Sequence, residues 1–446
     1  MATGANDDDI LAVGRDVAAR FPSAARRPLK ALDDKAMDLA SQDDQLRAAL
    51  FRFVDVVPAC RSLDDLARHL TGFLDEVDDR PPPMEVAMRM SGTKAGRAAL
   101  GAASAAGVRH MAHRFIVGET PRAAGRALRH LWEHGAAISL DLLGEATVTQ
   151  PEADRYAARC LDALETLAEA TPAWPARPQL EGDSLGPLPR VNVSVKVSAL
   201  TPLLRPEAPD VGRDDAARRM LPLLVRAKEL GAHLHIDMES VDTLEATMRL
   251  VFDLLEQPEL SDGPSTGIVL QAYLRESPEQ LEQVLDWASA TARQPPLLVR
   301  LVKGAYWDHE IVEARQHGWT PPVFEQKAES DRNFERLTRR LIEGWPHVRP
   351  AIASHNLRSV AHAVAANRAA GRADSDIELQ VLRGLGDDLA AALADQGMRV
   401  RIYCPVGDMV AGMAYLVRRL LENTANDSFL SEQQRGVPLA ELLSAP

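Results

Sequence analysis

The pattern of apolar and polar residues changes along the chain near residue 137. Before that point, apolar residues recur every three or four positions, as in Leu46–Val57 and Leu63–Val77, which predicts amphipathic helices. After it, short runs of aliphatic and β-branched residues alternate with helical patterns, which predicts strands between helices. The eight predicted strands are Ala137–Leu142, Arg190–Val197, Ala232–Asp237, Thr266–Ala272, Pro296–Val302, Arg349–Ala353, Asp376–Leu382 and Met398–Tyr403.

Helical patterns separate most of these runs and set the fold class. The clearest are Asp214–Leu230, Asp242–Leu255, Pro278–Ala292, Asn333–Trp345 and Asp387–Gln396. Strand alternating with helix indicates a mainly parallel sheet, and eight such units over roughly 300 residues fit a (β/α)8 barrel. The alternative is a doubly wound open sheet, although no GxGxxG motif opens any of the helices. We predict an N-terminal helical arm over residues 1–110 and the barrel over residues 111–446.

Composition and charge narrow the class of protein. The apolar fraction of 46% and the charged fraction of 26% are ordinary for a globular chain, and the net charge of -13 argues against nucleic acid binding. Three cysteines without a CxxC pair indicate neither a disulfide framework nor zinc, so we expect a cytoplasmic protein and assign no metal site. The acidic N-terminus predicts no signal peptide, and no apolar run approaches the ~20 residues of a membrane span. Peripheral contact with the inner face of the membrane stays open.

Polar residues end nearly every predicted strand. They are Asp141, Lys196, Asp237, Glu239, Gln271, Arg300, Lys303, His355, Asn356, Arg383 and Tyr403. In a (β/α)8 barrel the carboxyl ends of the strands carry the active site. Lys196 and Arg300 lie inside apolar segments, where a buried cation is costly unless it is paired or binds a ligand.

Three stretches carry most of the candidate chemistry, and each has more than one interpretation. Lys196 could bind a carboxylate or phosphate, form a Schiff base, or extend to the rim of the barrel. His233, His235 and Asp237 alternate and so share one face of a strand, where they could bind zinc or pack as interior side chains.

The third stretch, RLVKGAYWD, is the densest in polar and aromatic residues. It places Arg300 and Val302 on one face, and Gly304 would allow backbone amides to approach a ligand closely. Arg300 could serve a flavin or form a structural salt bridge with Asp237, and the two roles are compatible.

The segment 413–429 predicts a helix with two distinct faces. Its apolar stripe consists of Met413, Leu416, Val417, Leu420 and Leu421. The adjoining face carries Tyr415, Arg418, Arg419 and Glu422. Two adjacent guanidinium groups beside an aromatic ring suit a small anion, whereas a solvated face with an Arg418–Glu422 pair is the alternative.

Several of these segments resemble the flavin-dependent proline dehydrogenases, in particular the form that makes up the front half of bifunctional proline-utilisation proteins. The matching segments are LDLLGEATVT (140–149), VNVSVKVSAL (191–200), HIDMES (235–240), VLQAYLRES (269–277), RLVKGAYWD (300–308), ASHN (353–356) and RIYCPVGDMVAGMAYLVRRLLENTANDSF (401–429). The resemblance covers the whole predicted barrel, whereas the N-terminal helices are similar only in general character. It implies a distorted (β/α)8 TIM barrel that binds FAD at its mouth, with the last helix above the barrel.

The same resemblance implies a reaction and a role for individual residues. The expected reaction is the oxidation of L-proline to 1-pyrroline-5-carboxylate, with electrons passed to a quinone. Lys196, Arg418 and Arg419 are expected to hold the substrate carboxylate, and Glu145 to pair with Arg418 as a gate. The substrate ring is expected to contact Tyr306, Leu382, Tyr403 and Tyr415, with Tyr403 disfavouring hydroxyproline.

Asp237 and Arg300 are the expected catalytic residues, Asp237 near the substrate and Arg300 at the flavin N5. The rest of FAD is expected to contact Gln271, Val302, Lys303, Gly304, Ala305, Trp307, Ser354, His355, Asn356, Arg419 and Glu422. Bifunctional relatives continue into an aldehyde dehydrogenase, so we expect either a monofunctional enzyme or part of a longer protein. A fused or separate pyrroline-5-carboxylate dehydrogenase is the expected partner.

Three rival functions follow from the residues themselves. The first is a metal-dependent hydrolase that uses His233, His235, Asp237 and His355. The second is a Schiff-base aldolase that uses Lys196. The third is a barrel that binds an amino acid without catalysis.

Overall fold

A closed parallel barrel forms the centre of the molecule. The computed structural model describes residues 5–22, 43–144, 146–408, 412 and 437–446. The eight barrel strands are β1 Ala136–Leu142, β2 Asn192–Lys196, β3 His233–Asp237, β4 Ser265–Gln271, β5 Leu297–Val302, β6 Val348–Ala353, β7 Glu378–Leu382 and β8 Val400–Val406. Each strand pairs in parallel with the next, and β8 closes onto β1. Every predicted strand overlaps an observed one, so the barrel is confirmed and the open sheet is excluded.

The N-terminal part of the chain is helical, as predicted. Its helices are α1 Asp7–Ala18, α2 Asp44–Val56, α3 Leu63–Asp75, α4 Pro82–Met90 and α5 Lys94–Phe115. Helices α2 to α5 share an apolar core of their own, which includes Leu46, Phe53 and Leu70. Helix α1 instead buries Ile10, Val13 and Val17 in the main core of the barrel.

Helices of the barrel cover the outside of the strands. They are α6 Pro121–Glu133, α7 Gln150–Ala170, α8 Pro178–Glu181, α9 Val197–Leu200, α10 Pro209–Glu229, α11 Val241–Leu255, α12 Ser277–Thr291, α13 Trp307–His317, α14 Lys327–Glu343, α15 Leu357–Ala369, α16 Asp387–Asp395 and α17 Leu439–Leu442. Short 3₁₀ turns occupy Val57–Ala59, Thr171–Ala173, Pro258–Leu260 and Asp374–Asp376. None of the helices in the described part of the chain is long and apolar enough to cross a membrane.

The barrel interior is polar, because alternate residues of each strand face inward. Outward residues such as Ile138, Val195 and Ile236 are fully buried against the helices. Inward residues bond to one another across the barrel. One such bond runs from the Ser139 hydroxyl on β1 to Asn192 Oδ1 on β2, at 2.7 Å. Because each interior polar group needs a partner, this layer fixes the register of the strands.

The amino-terminal end of the barrel is closed by a short antiparallel pair, Gly182–Asp183 with Gly186–Pro187. Asp183 is buried there and accepts hydrogen bonds from Arg349 Nε at 2.8 Å and Arg399 Nη1 at 3.1 Å. Above it, Arg401 Nε donates to Glu378 Oε1 at 2.7 Å. These pairs neutralise charges that would otherwise be costly to bury. The carboxyl-terminal end of the barrel therefore remains as the end that can admit a ligand.

Candidate functional site

Five inward side chains meet at the carboxyl ends of the strands. Lys196 Nζ lies 2.6 Å from Asp141 Oδ1, 3.2 Å from Asp237 Oδ2 and 3.3 Å from the Tyr403 hydroxyl. Asp237 also accepts a hydrogen bond from the Tyr403 hydroxyl at 2.7 Å. Arg300 Nη1 donates to Asp237 Oδ1 at 2.9 Å. We call Asp141, Lys196, Asp237, Arg300 and Tyr403 the mouth network.

Two further side chains hold the mouth network in place. The Ser194 hydroxyl donates to Asp237 Oδ1 at 2.7 Å, and Gln380 Oε1 accepts from Arg300 Nε at 2.6 Å. Both are buried. Ser194 and Gln380 were not predicted as site residues, and Asp141 was predicted only as a polar residue at the end of a strand. Their position on the inward side of β2, β7 and β1 is the signal that could have identified them.

Neighbouring charges oppose the effect of burial on the pKa values of Asp237 and Lys196. Burial by itself raises the pKa of Asp237, but the charges of Lys196 and Arg300 lower it below its ordinary value. Burial likewise lowers the pKa of Lys196, yet Asp141, Tyr403 and Asp237 together raise it well above its ordinary value. The two cations, Lys196 and Arg300, and the two carboxylates, Asp141 and Asp237, together carry no net formal charge.

The aldolase interpretation of Lys196 finds no support in this geometry. A Schiff-base lysine must lose a proton before it attacks, whereas a raised pKa holds Lys196 in the ammonium form. An ammonium group has three donors, and three oxygen atoms surround this one. A substrate carboxylate would therefore compete with Asp237 or Tyr403 for Lys196.

The Arg300 guanidinium group has hydrogen-bond partners at Nε and Nη1 but none among the described residues at Nη2. Its guanidinium carbon lies 5.3 Å from the centroid of the Tyr403 ring, within the range of a cation–π contact. Its Nη2 atom is buried and has no hydrogen-bond partner among the described residues. A buried donor of this kind is costly, so it marks a position where a ligand acceptor would be stabilising.

The turn after β5 contains Gly304, whose backbone needs a glycine. Its φ is 137°, and a Cβ atom at this position would meet the Tyr273 ring. Around it, Val302 is the half-buried last residue of β5, Lys303 pairs with Asp331 on α14, and Ala305 is exposed. Tyr306 is half-buried, and the exposed Trp307 donates from Nε1 to the Phe324 carbonyl at 2.8 Å.

Gln271 and the residues after β6 complete the rim. Gln271 is buried, and its Nε2 donates to the Glu239 carbonyl at 3.0 Å. Its Oε1 has no hydrogen-bond partner in the described ranges. The half-buried residues Ser354 and Asn356 shape the start of α15: the Ser354 hydroxyl accepts from Asn356 N, and Asn356 Oδ1 caps the helix by accepting from Ser359 N.

Of the three histidines in the hydrolase interpretation, His233 and His235 contact each other and His355 lies apart from them. His233 Nε2 is 3.2 Å from His235 Nδ1, and His233 Nδ1 is 2.8 Å from the Ser265 hydroxyl. His355 is elsewhere, with Nε2 accepting from the backbone N of half-buried Leu382 at 2.9 Å. Burial lowers the pKa of His233 to about 3. The strand histidines are thus neutral interior groups, and no described cluster joins them to His355 as metal ligands.

Some expected site residues lie outside the described residues. They are Glu145, Tyr415, Arg418, Arg419 and Glu422. Of the expected site residues, the mouth network contains Lys196, Asp237, Arg300 and Tyr403, on strands β2, β3, β5 and β8, and it adds Asp141 on β1.

Comparison with known proteins identifies the family. The family model described as proline dehydrogenase matches residues 124–432, which is more than half of the chain. The chain belongs to the proline dehydrogenase family. The model described as the proline utilization A N-terminal domain matches residues 7–115, so the helical arm is also shared with known family members.

Individual relatives agree with the family match. The bifunctional protein PutA of Salmonella typhimurium is 33% identical over 350 residues, which are 76% of this chain and 25% of that protein. The proline dehydrogenase of Deinococcus radiodurans is 28% identical over 321 residues, covering 72% of this chain and 89% of that enzyme. The chain thus spans about a quarter of the length of the PutA proteins that it matches.

A solved structure extends the similarity to the whole chain. The crystal structure of proline utilization A from Bdellovibrio bacteriovorus, inactivated by N-propargylglycine, is 33% identical with a TM-score of 0.87. The match covers 99% of this chain and 44% of that one. The dehydrogenase barrel and the arm therefore occur together in a known protein of this family.

Proposed function

We propose that this chain oxidises L-proline to 1-pyrroline-5-carboxylate, with FAD as its bound cofactor and a quinone as the final electron acceptor. The observation that carries the proposal is the mouth network, a largely buried set with balanced formal charges at the carboxyl-terminal end of a proline dehydrogenase barrel. A charge-balanced set can position a zwitterionic amino acid without repelling either of its charged ends.

The donor set at the mouth fits a flavin. Arg300 Nη2 is a buried cationic donor without a protein partner, and Gln271 Oε1 is a buried acceptor without one, both within the described part of the chain. Gly304 lets the backbone approach the ligand at a position where a side chain would collide with Tyr273. When bound, FAD supplies the chemistry of accepting two electrons and a proton from the carbon–nitrogen bond of proline.

The formal charges of the mouth network support a role for the helix predicted at residues 413–429. Lys196 and Arg300 are balanced by Asp141 and Asp237, so the described groups supply no surplus positive charge for a substrate carboxylate. Arg418 and Arg419 would provide it, with Glu145 as the partner of Arg418. Tyr306, Leu382, Tyr403 and Tyr415 would then enclose the apolar part of the proline ring.

Asp237 and Tyr403 have distinct tasks in the mouth network. Asp237 fixes Lys196 and Arg300 at a set separation, since it bonds to both with different oxygen atoms. Tyr403 presents its ring toward the substrate side while its hydroxyl is tied to Asp237. Such prior positioning can lower a barrier by up to about 7–11 kcal/mol, because the reacting carbon no longer has to be oriented in solution.

The relatives suggest partners as well. The Salmonella protein is described as bifunctional, and the product of proline oxidation is the substrate of a pyrroline-5-carboxylate dehydrogenase. We propose that such an enzyme, fused or separate, consumes the product of this chain. Reduction of a quinone would bring the protein to the inner face of the membrane from the cytoplasm.

A product analysis tests this function. The purified chain is loaded with FAD and incubated with L-proline and a water-soluble quinone analogue, and the products are identified by mass spectrometry. We expect 1-pyrroline-5-carboxylate in proportion to the quinone reduced, and little turnover of hydroxyproline because Tyr403 crowds the ring. Quinone reduction that is independent of proline, or a different product, would overturn the proposal.

A further inference from the structure

A second group of possible ligands lies on the helical arm, far along the chain from the mouth network. It consists of Cys60, Asp65 and His69, and the thiol, carboxylate and imidazole ligand atoms all lie within 4.8 Å of one another. Cys60 and Asp65 are half-buried, and His69 is exposed. Among the residues that the structure describes, it is the one group of at least three such side chains that could hold a metal ion.

Local structure brings these three residues together. Ser62 caps helix α3 by accepting a hydrogen bond from Asp65 N at 3.1 Å, which starts the helix just after Cys60. Asp65 and His69 are four residues apart on that helix, so their side chains share one face. The backbone N of Arg61 donates to Asp65 Oδ2 at 3.1 Å and draws the loop that carries Cys60 toward the carboxylate.

We propose that Cys60, Asp65 and His69 bind a divalent ion of the zinc class. A thiolate, an imidazole and a carboxylate are the ligand types that Zn²⁺ takes in proteins, and three protein ligands leave a fourth position for water. The mixed soft and borderline donors disfavour Mg²⁺ and Ca²⁺, which require oxygen ligands. The proposal is independent of proline oxidation, since no residue of the mouth network takes part.

The surrounding charges are compatible with a cation. Arg68 Nη2 lies 2.7 Å from Asp65 Oδ1, but its side chain is 64% exposed, so this pair is weak. Arg68 is also 3.5 Å from Asp64, to which it can turn when a metal occupies Asp65. Burial and the charge of Asp65 raise the pKa of the Cys60 thiol, which a bound cation would reverse.

Cobalt spectroscopy tests the proposal on the tag-free full chain with FAD present. Co²⁺ reports thiolate ligation by a charge-transfer band and tetrahedral geometry by intense visible bands. To remove the flavin background, spectra are recorded as differences from the same holoenzyme without cobalt. We expect one Co²⁺ per chain and displacement of Co²⁺ by equimolar Zn²⁺.

Matched variants separate this site from accidental binding. Cys60→Ser should abolish the charge-transfer band. His69→Ala should weaken Co²⁺ binding by at least ~10-fold, because even the loss of a residue that only hydrogen-bonds to a metal ligand weakens binding by about that factor. Asp75→Asn, an exposed acidic residue at the end of the same helix, should bind Co²⁺ like the parent chain. Absence of the band from the parent chain, or its persistence in a folded Cys60→Ser variant, would overturn the proposal.

Discussion

Asp141 Oδ1 lies 2.6 Å from Lys196 Nζ, and the carboxylate belongs to a side chain that is 1% exposed. The two residues lie on neighbouring strands, β1 and β2, and the Lys196 side chain is only 16% exposed, so water screens their interaction weakly. A buried ion pair of this kind is stable only while both partners are present. Asp141 therefore acts with Asp237 and Tyr403 to hold Lys196 charged and fixed in the barrel mouth.

The first prediction concerns this pair. Asp141→Asn should lower kcat/KM for proline by roughly 10- to 150-fold, because a hydrogen bond to a charged group contributes about 1.5–3 kcal/mol. Asp141 raises the pKa of Lys196, so its loss should lower that pKa and move the alkaline limb of the pH–rate profile to lower pH. Steady-state kinetics across pH measure both effects. Asp162→Asn, an exposed change on α7, should leave them unchanged. An Asp141→Asn profile that overlays the parent would refute this role.

The second prediction concerns acid stability. Burial lowers the pKa of His233 from 6.5 to about 3, so the unfolded chain binds a proton there that the folded chain does not. The contribution of neutral His233 is complete above pH 6.5 and is lost as the pH falls toward 3. The loss should be on the order of 5 kcal/mol in the free energy of unfolding.

Urea unfolding at a series of pH values measures how the free energy of unfolding changes with pH. His233→Asn should unfold with a shallower dependence on pH between about 6.5 and 3, whereas the exposed change His347→Asn should keep the parental slope. An unchanged slope in His233→Asn would show that other groups control acid unfolding.

The third prediction concerns the turn at Gly304. Gly304→Ala should reduce the ratio of bound FAD to protein, because the new methyl group meets the Tyr273 ring and displaces the turn. Gly186→Ala is a matched control: its φ of 121° imposes a similar backbone strain, but its Cβ would have nothing within 4 Å. Flavin absorbance after gel filtration measures the ratio. Equal FAD retention by the two variants would contradict a role for Gly304 in the cofactor site.

The fourth prediction concerns Arg418 and Arg419. Each change to Ala should raise the KM for proline by roughly 10- to 150-fold, since each removes a charged contact of about 1.5–3 kcal/mol to the substrate carboxylate. Arg126→Ala, an exposed change on α6, serves as the control and should not alter KM. Normal proline binding by both Arg418→Ala and Arg419→Ala would show that the carboxylate is held elsewhere.

The barrel could be predicted from the sequence because its strands are short aliphatic runs with polar residues at their ends. Arg300 and Asp237 could also be paired in advance, since both are charged residues in apolar strands. The role of Asp141 could not be predicted from the sequence. Parallel pairing sets Asp141 level with Ser194 and sets Lys196 level with Asp237, and this register is a property of the closed barrel.

The carboxylates that pair with the cations of the mouth network also could not all be predicted, because their positions depend on the strand register. The sequence paired Arg300 with Asp237 and Arg418 with Glu145, whereas Asp141 is the additional carboxylate that contacts Lys196. The group on the arm was missed because Cys60, Asp65 and His69 follow none of the familiar zinc spacings. Their proximity depends on how Ser62 begins helix α3.

An anaerobic titration with L-proline tests the central claim most directly. The claim is that the barrel mouth holds proline against a bound flavin through a charge-balanced network completed by Arg418 and Arg419. The account predicts a yellow protein whose flavin absorption bleaches with proline, and an Arg418→Ala variant that needs far more proline for the same bleaching. A protein that binds no flavin, or a bound flavin that proline leaves oxidised, would contradict it.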